Sequence, residues 1–208
     1  MRFTQTCVVL GLLAVSAVAS AQQRSEIKEP GNHPTYAWEL EPHLVVEGVF
    51  NDYAPCTNTG FGPGVRATIP FLDNGPIPKI NNNMGIGFGL DWAHSSIGNC
   101  GRYNNNGNFY GNGFTADIFS VPVVVQWNFF LLRHLSVFGE GGLVLEHRRY
   151  DVGVAGVTCN NGFCSSSYSD NTVDGTFSVG GRFLVSDSVG FLVRLGYPYF
   201  SAGVSILL

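Results

Sequence analysis

Charge is scarce in this sequence. Asp, Glu, Lys and Arg make up 12% of its 208 residues, roughly half the ordinary share, which excludes a long disordered acidic or basic tail. Lysine occurs only at Lys28 and Lys79, and the net charge is −4. A clustered basic face for nucleic acid is therefore excluded. Long hydrophobic runs are also missing. Beyond the N-terminus no apolar stretch reaches the ~18 residues of a transmembrane helix. No C-x-x-C occurs, and no histidine follows a cysteine at finger spacing, so no metal site is expected. What is abundant is glycine (27) and aromatic residues (16 Phe, 8 Tyr and 3 Trp). Few charges with many glycines and aromatics suit a sheet protein exposed to an apolar medium.

The first 21 residues carry the layout of an export signal. Arg2 opens a short basic region, Cys7 to Val18 is apolar, and Ala19-Ser20-Ala21 supplies small residues for cleavage. The apolar stretch is too short to span a bilayer as a helix. Residues 22–37 are polar and broken by Pro30 and Pro34, which predicts a flexible periplasmic leader. Cleavage leaves Cys56, Cys100, Cys159 and Cys164, an even number in an exported chain, which points to disulfides. Three connectivities are open to four cysteines.

Period-two alternation recurs through the rest. It predicts about eight strands, over residues 39–50, 63–72, 84–93, 116–129, 135–149, 175–186, 188–196 and 199–208. Each is near the ~9–11 residues a tilted strand needs to cross a membrane. The connections alternate between short and long, and the long ones are rich in Asn, Gly and Ser. Up-and-down topology places all long loops at one end. All four cysteines fall in them, making Cys159–Cys164 and Cys56–Cys100 the simplest pairing.

The two faces of these strands differ in bulk. One carries Val65, Ile69, Phe71, Ile86, Phe88, Leu90, Trp92, Phe119, Val121, Val123, Val125, Trp127, Phe177, Phe183, Phe191 and Leu195. The other carries mainly Gly and Ser, with occasional charges. An eight-stranded barrel has an interior just wide enough for side chains to fill. Small residues suit its concave side, and bulky ones need the convex side. A convex wall of Phe, Val and Leu would aggregate in water. Against lipid it is stable, because barrel closure satisfies the backbone polar groups. The expected fold is all-β: a closed antiparallel up-and-down transmembrane β-barrel over residues 38–208.

The export signal, the eight alternating strands and the one-sided long loops resemble small outer-membrane β-barrels of the OmpA membrane-domain, OmpX and opacity-protein types. The ending Phe200-x-Ala202-x-Val204-x-Ile206-x-Leu208 resembles the sorting signal read by the barrel assembly machinery, with Leu where that family usually has Phe. The resemblance covers roughly residues 38–208. It implies a monomer in the Gram-negative outer membrane that contacts bilayer lipid and lipopolysaccharide. No cofactor and no following peptidoglycan-binding domain are expected.

The inward register is expected to hold Glu41, Glu47, Arg66, Asp91, Gln126, Asn128, Glu140, Glu146, Arg148, Arg182 and Arg194. Unpaired charges in a narrow interior cost several kcal/mol, so these groups must pair or be hydrated. The resemblance favours a lumen plugged by ion pairs; a narrow channel for ions or small solutes is the alternative. The expected role is a structural or surface-interaction protein, not an enzyme. One motif stands apart. His94-Ser95-Ser96 partly resembles the His-x-Ser of barrel-type lipid A deacylases, but Ile97 replaces the following Asn and the sequence shows no orienting acid. Gly85-x-Gly87-x-Gly89 lies within a strand and lacks a following Lys-Ser/Thr, which excludes a phosphate loop. Trp38, Trp92, Trp127 and Tyr150 are expected at the membrane–water boundaries. Pro122 and Pro198 are each expected to force a bulge or kink.

Overall fold

A computed structural model describes residues 25–51, 56–103, 109–159 and 162–208. Eight strands follow one another in chain order: β1 (Glu39–Asn51), β2 (Cys56–Leu72), β3 (Asn82–Tyr103), β4 (Phe109–Leu132), β5 (Leu135–Cys159), β6 (Gly162–Leu184), β7 (Val189–Tyr197) and β8 (Tyr199–Leu207). Each pairs antiparallel with the next, and β1 pairs with β8, so the sheet closes into an up-and-down barrel. The register can be followed round from His43. One way runs through Gly64, Asp91 and Ser120 to Glu146. The other runs through Gly203, Leu192 and Arg182 to Ser136. Both paths end on β5, displaced by 146 − 136 = 10 residues. That stagger is the shear that tilts the strands and lets the sheet close.

Side chains alternate between the two sides of the wall, as a pleated strand requires. Leu90, Phe88, Ile86, Val123, Phe177, Phe191 and Leu195 point outward and are 42–66% exposed. Glu39, Glu41, Arg66, Gln126, Arg182 and Arg194 point inward and are at most 2% exposed. The polar residues therefore form the core, and the apolar ones form the outer surface. On β4, Phe119 and Trp127 bound the apolar band. Eight residues at ~3.3 Å, tilted by ~40°, give a band about 20 Å tall.

Five features differ from the sequence reading. The segments expected as long loops over residues 94–115 and 150–174 are largely strand, giving β3 to β6 lengths of 22–25 residues. Asn, Gly and Ser make poor strands by composition, but here each continues a ladder already started in the barrel wall. Beyond Phe177, which pairs with Tyr197, β6 continues upward without β7 alongside. The β3–β6 side thus stands taller than the β7–β8 side.

Residues 25–37, expected as a mobile leader, pack across the short-turn end. The backbone N–H of Asn81 donates to the carbonyl of Ile27 (2.8 Å), and His33 stacks on Phe130 with ring centroids 4.6 Å apart. Tyr36 is buried with Leu184 and Leu207. Burial pushes the Tyr36 phenol up to about 12, helped by the nearby Glu39 carboxylate.

Tyr150 does not join the outer aromatics: it is buried and stacks on Tyr168 at 4.8 Å. Pro122 produces no bulge. It pairs with Val144 on β5, while the β3–β4 ladder skips from Phe88–Val123 to Asp91–Ser120 without changing register. A missing N–H thus opens a gap in one ladder and leaves the other whole. Pro42 and Pro63 sit in similar gaps. Pro198 lies between β7 and β8, after a cis peptide bond, so it ends a strand instead of kinking one.

Candidate functional site: the charged lumen

Inward residues of six strands bring their charges together along the barrel axis. At the short-turn end, Glu39 accepts from Arg182 and from Ser205. Arg182 lies 4.0 Å from Glu41, whose other oxygen accepts from Arg194 Nη2 at 2.6 Å. Arg194 also donates through Nε to Glu140 (2.8 Å) and through Nη1 to Ser201 (3.1 Å). Glu140 further accepts from Arg66 (2.8 Å), Gln126 (2.9 Å) and Ser178 (2.7 Å). Arg66 donates to the Tyr199 hydroxyl (2.8 Å) and lies 3.9 Å from Asp91. The chain ends where His43 Nε2 meets Asp91 at 2.8 Å, its Nδ1 facing the Glu41 carbonyl. Acid and base alternate throughout, so each buried charge has an opposite neighbour. The Phe138 ring packs under both Arg182 and Arg194, with guanidinium carbons 5.7 and 5.3 Å from its centroid.

A second group sits nearer the long-hairpin end. Arg148 bonds Glu146 and lies 3.8 Å from Glu47. Arg148 is 26% exposed, whereas both carboxylates are nearly fully buried. Apolar inward residues separate the two groups. Val45 lies between His43 and Glu47 on β1, Ala93 follows Asp91 on β3, and Val144 lies between Glu140 and Glu146 on β5; with Ile118 of β4, all are at most 3% exposed.

All eight charged positions singled out in the sequence lie on the inward side: Arg66, Asp91, Glu140, Arg182 and Arg194 in the first group, and Glu47, Glu146 and Arg148 in the second. Sequence reasoning missed Glu39, His43 and Tyr199. Glu39 and His43 share the odd-numbered register of Glu41 and Glu47, so the signal for them was present. Tyr199 shares the odd-numbered register of Ser201 and Ser205 on β8, so the same alternation carried a signal for it too. Cys56, Cys100, Cys159 and Cys164, expected in long loops, stand on the backbone of β2, β3, β5 and β6; their side-chain pairing lies outside what is described, as does the export signal over residues 1–21.

Fold and interior define the class: a closed eight-stranded up-and-down barrel with an apolar outside and an ion-paired inside. No family model matches the chain, and no curated protein matches it. Among solved structures it is similar to Ail, the attachment invasion locus protein of Yersinia pestis, at 11% identity and a TM-score of 0.48, over 84% of this chain and 100% of that one. It is similar to the same protein in complex with the heparin analogue sucrose octasulfate, at 10% identity and a TM-score of 0.47, over 82% and 99%. It is also similar to Neisserial surface protein A, NspA, at 12% identity and a TM-score of 0.44, over 83% and 97%.

Proposed function

We propose that this protein is a monomeric outer-membrane barrel whose lumen is plugged by ion pairs and which acts through its outer surface. The observation that carries this reading is the inversion of burial. Arg66, Arg182 and Arg194 are 1–2% exposed, while Phe177, Phe191 and Leu195 are 58–66% exposed. In water such a wall would associate; in hydrocarbon it is the stable surface, with backbone groups satisfied by closure. The export signal delivers the chain, the assembly machinery inserts it, and lipid and lipopolysaccharide surround it. Disulfides among Cys56, Cys100, Cys159 and Cys164 tie the long hairpins on the outside.

The plug follows from the bulk and pairing of the lumen side chains. Water crossing the barrel would have to part the Arg194–Glu140–Arg66 bonds and then pass the apolar residues around Val45. The test is mobility on unboiled and boiled gels of membrane fractions, with and without reductant, followed by planar-bilayer recording. A boiling-dependent shift, a reductant-dependent shift and electrical silence are expected. Steady conductance that disappears on altering Arg66 or Arg182 would establish the narrow-channel alternative instead.

A further inference from the structure

The unequal height of the barrel wall opens a notch at its long-hairpin end. β7 ends at Tyr197, opposite Phe177, and β8 begins at Tyr199, opposite Glu47. Above that level β6 and β1 both continue. The notch between them spans three strand spacings, about 14 Å along the wall. Acids line it. Even-numbered residues of β6 face inward, as Ser178 and Arg182 do, so Asp170 and Asp174 share that side. Glu47 stands at the opposite border on β1, and Glu146, paired with Thr172, lies at the floor. Among the described side chains, Arg148 is the one cation facing these four carboxyl groups, and it is already bonded to Glu146. Both lysines, Lys28 and Lys79, lie at the other end of the barrel.

A second observation points to a ligand. Glu47 Oε1 and Glu146 Oε1 accept no hydrogen bond among the described residues, although their side chains are only 2% and 1% exposed. Arg148 Nη2 stands 3.8 Å from Glu47, too far to donate. Buried carboxyl oxygens in this state call for a cationic donor from outside. The acids follow a line and do not meet at a point. Asp170 and Asp174 are four residues apart, about 13 Å along β6, and among the described residues no three His, Cys, Asp or Glu side chains could hold one metal ion. A compact ion reaches one or two of them, whereas a flexible chain carrying several ammonium groups reaches all four. Tyr150 and Tyr168, stacked 4.8 Å apart one row above Arg148 and Asp170, offer ring faces to such a chain. Below, Val45 and Val144 close the lumen, so the chain stops there.

We propose that this notch binds a linear polyamine, with one ammonium group at Glu47 and Glu146 and the others along Asp170 and Asp174. The proposal rests on the reading that the long-hairpin end faces outward and that the lumen is closed beneath it. Arg148 is a built-in competitor for the same carboxyl groups. It is 26% exposed and pairs in register with Asp170, so an arriving ammonium can take its place at Glu146 while the guanidinium turns to water.

The test is calorimetric titration of spermidine into the full-length protein folded in detergent, with folding verified for every variant by its boiling-dependent gel shift. Saturable binding is expected. Glu47→Gln and Glu146→Gln should each weaken it at least ~10-fold, as the loss of a charged hydrogen bond does. Asp170→Asn and Asp174→Asn, at more exposed positions, should each weaken it by no more than ~5-fold. Arg148→Gln should tighten binding by removing the competitor, and Asp187→Asn at the short-turn end should leave it unchanged. Mg2+ should displace spermidine no better than NaCl of equal ionic strength. A folded barrel that binds no spermidine overturns the site and leaves the membrane reading intact. So does binding undiminished in Glu47→Gln and Glu146→Gln, binding weakened in Arg148→Gln, or displacement by Mg2+ beyond the NaCl control. A chain that stays monodisperse without detergent overturns the reading beneath it.

Discussion

Glu140 accepts from two arginines, a glutamine and a serine inside the barrel, so removing its carboxylate has unequal consequences for its partners. Gln126 and Ser178 lose one hydrogen bond each. Arg194 keeps Glu41 at 2.6 Å, but Arg66 is left with only Asp91 at 3.9 Å and the Tyr199 hydroxyl, so a poorly compensated buried cation is the costly outcome. Glu140→Ala is therefore expected to destabilise the barrel by about 3–5 kcal/mol, measured as a drop in the urea midpoint of the detergent-folded protein. A matched pair of glycines tests packing in the same assay. A Cβ on Gly180 would press into the Phe138 ring, which underlies Arg182 and Arg194. A Cβ on Gly139 would meet nothing within 4 Å. Gly180→Ala should cost about 1–3 kcal/mol, and Gly139→Ala should be neutral or stabilising by about 0.5 kcal/mol. Equal effects at the two positions would show that lumen packing is looser than the Phe138 contacts require.

At the level of strands, the short side of the barrel was legible in the sequence and the tall side was not. The start of β1 at Glu39 and the extents of β7 and β8 follow period-two alternation to within a residue or two. There, bulky and small side chains must alternate because one face meets the outside and the other the crowded lumen. The upper halves of β3 to β6 escape that demand. Their residues continue a ladder whose partner strand is already in place, and nothing in Asn, Gly or Ser announces it. The lumen charges were visible from the same alternation, whereas the His94–Asp117 pair was not, because it joins residues 23 apart through the β3–β4 register. Edge protection fits the same picture: Asp170 and Asp174 lie on the stretch of β6 without β7 alongside, where charge discourages pairing with another chain. Since the lumen network lies below it, the top of the β5–β6 hairpin should be dispensable. Replacing residues 153–165 by Asn-Gly, to join Val152 to its partner Ser166, should leave the boiling-dependent gel shift intact and the urea midpoint nearly unchanged. Loss of the shift would place the hairpin in the folding core.

For the whole molecule, the decisive quantity is what surrounds the wall. Val123 is 43% exposed, faces outward beside Phe88, and lies four residues from both Phe119 and Trp127, which puts it at the middle of the apolar band. An arginine there must either sit in hydrocarbon or thin the bilayer around it. In vesicles the expected cost of Val123→Arg is about 2–4 kcal/mol. Thr115 also lies on the outward side of β4, but beyond the row of His94 and Asp117, at the level of polar headgroups. Thr115→Arg should cost no more than about 1 kcal/mol in the same vesicles. Both values come from reversible urea unfolding of the vesicle-inserted protein, and the contrast between them matters more than either alone. In a water-exposed wall both substitutions would replace an exposed side chain by a charged one, and neither would be destabilising. A depth-dependent penalty thus separates a membrane wall from a solvated one in a single measurement, and equal, small costs at the two sites would remove the membrane from the account.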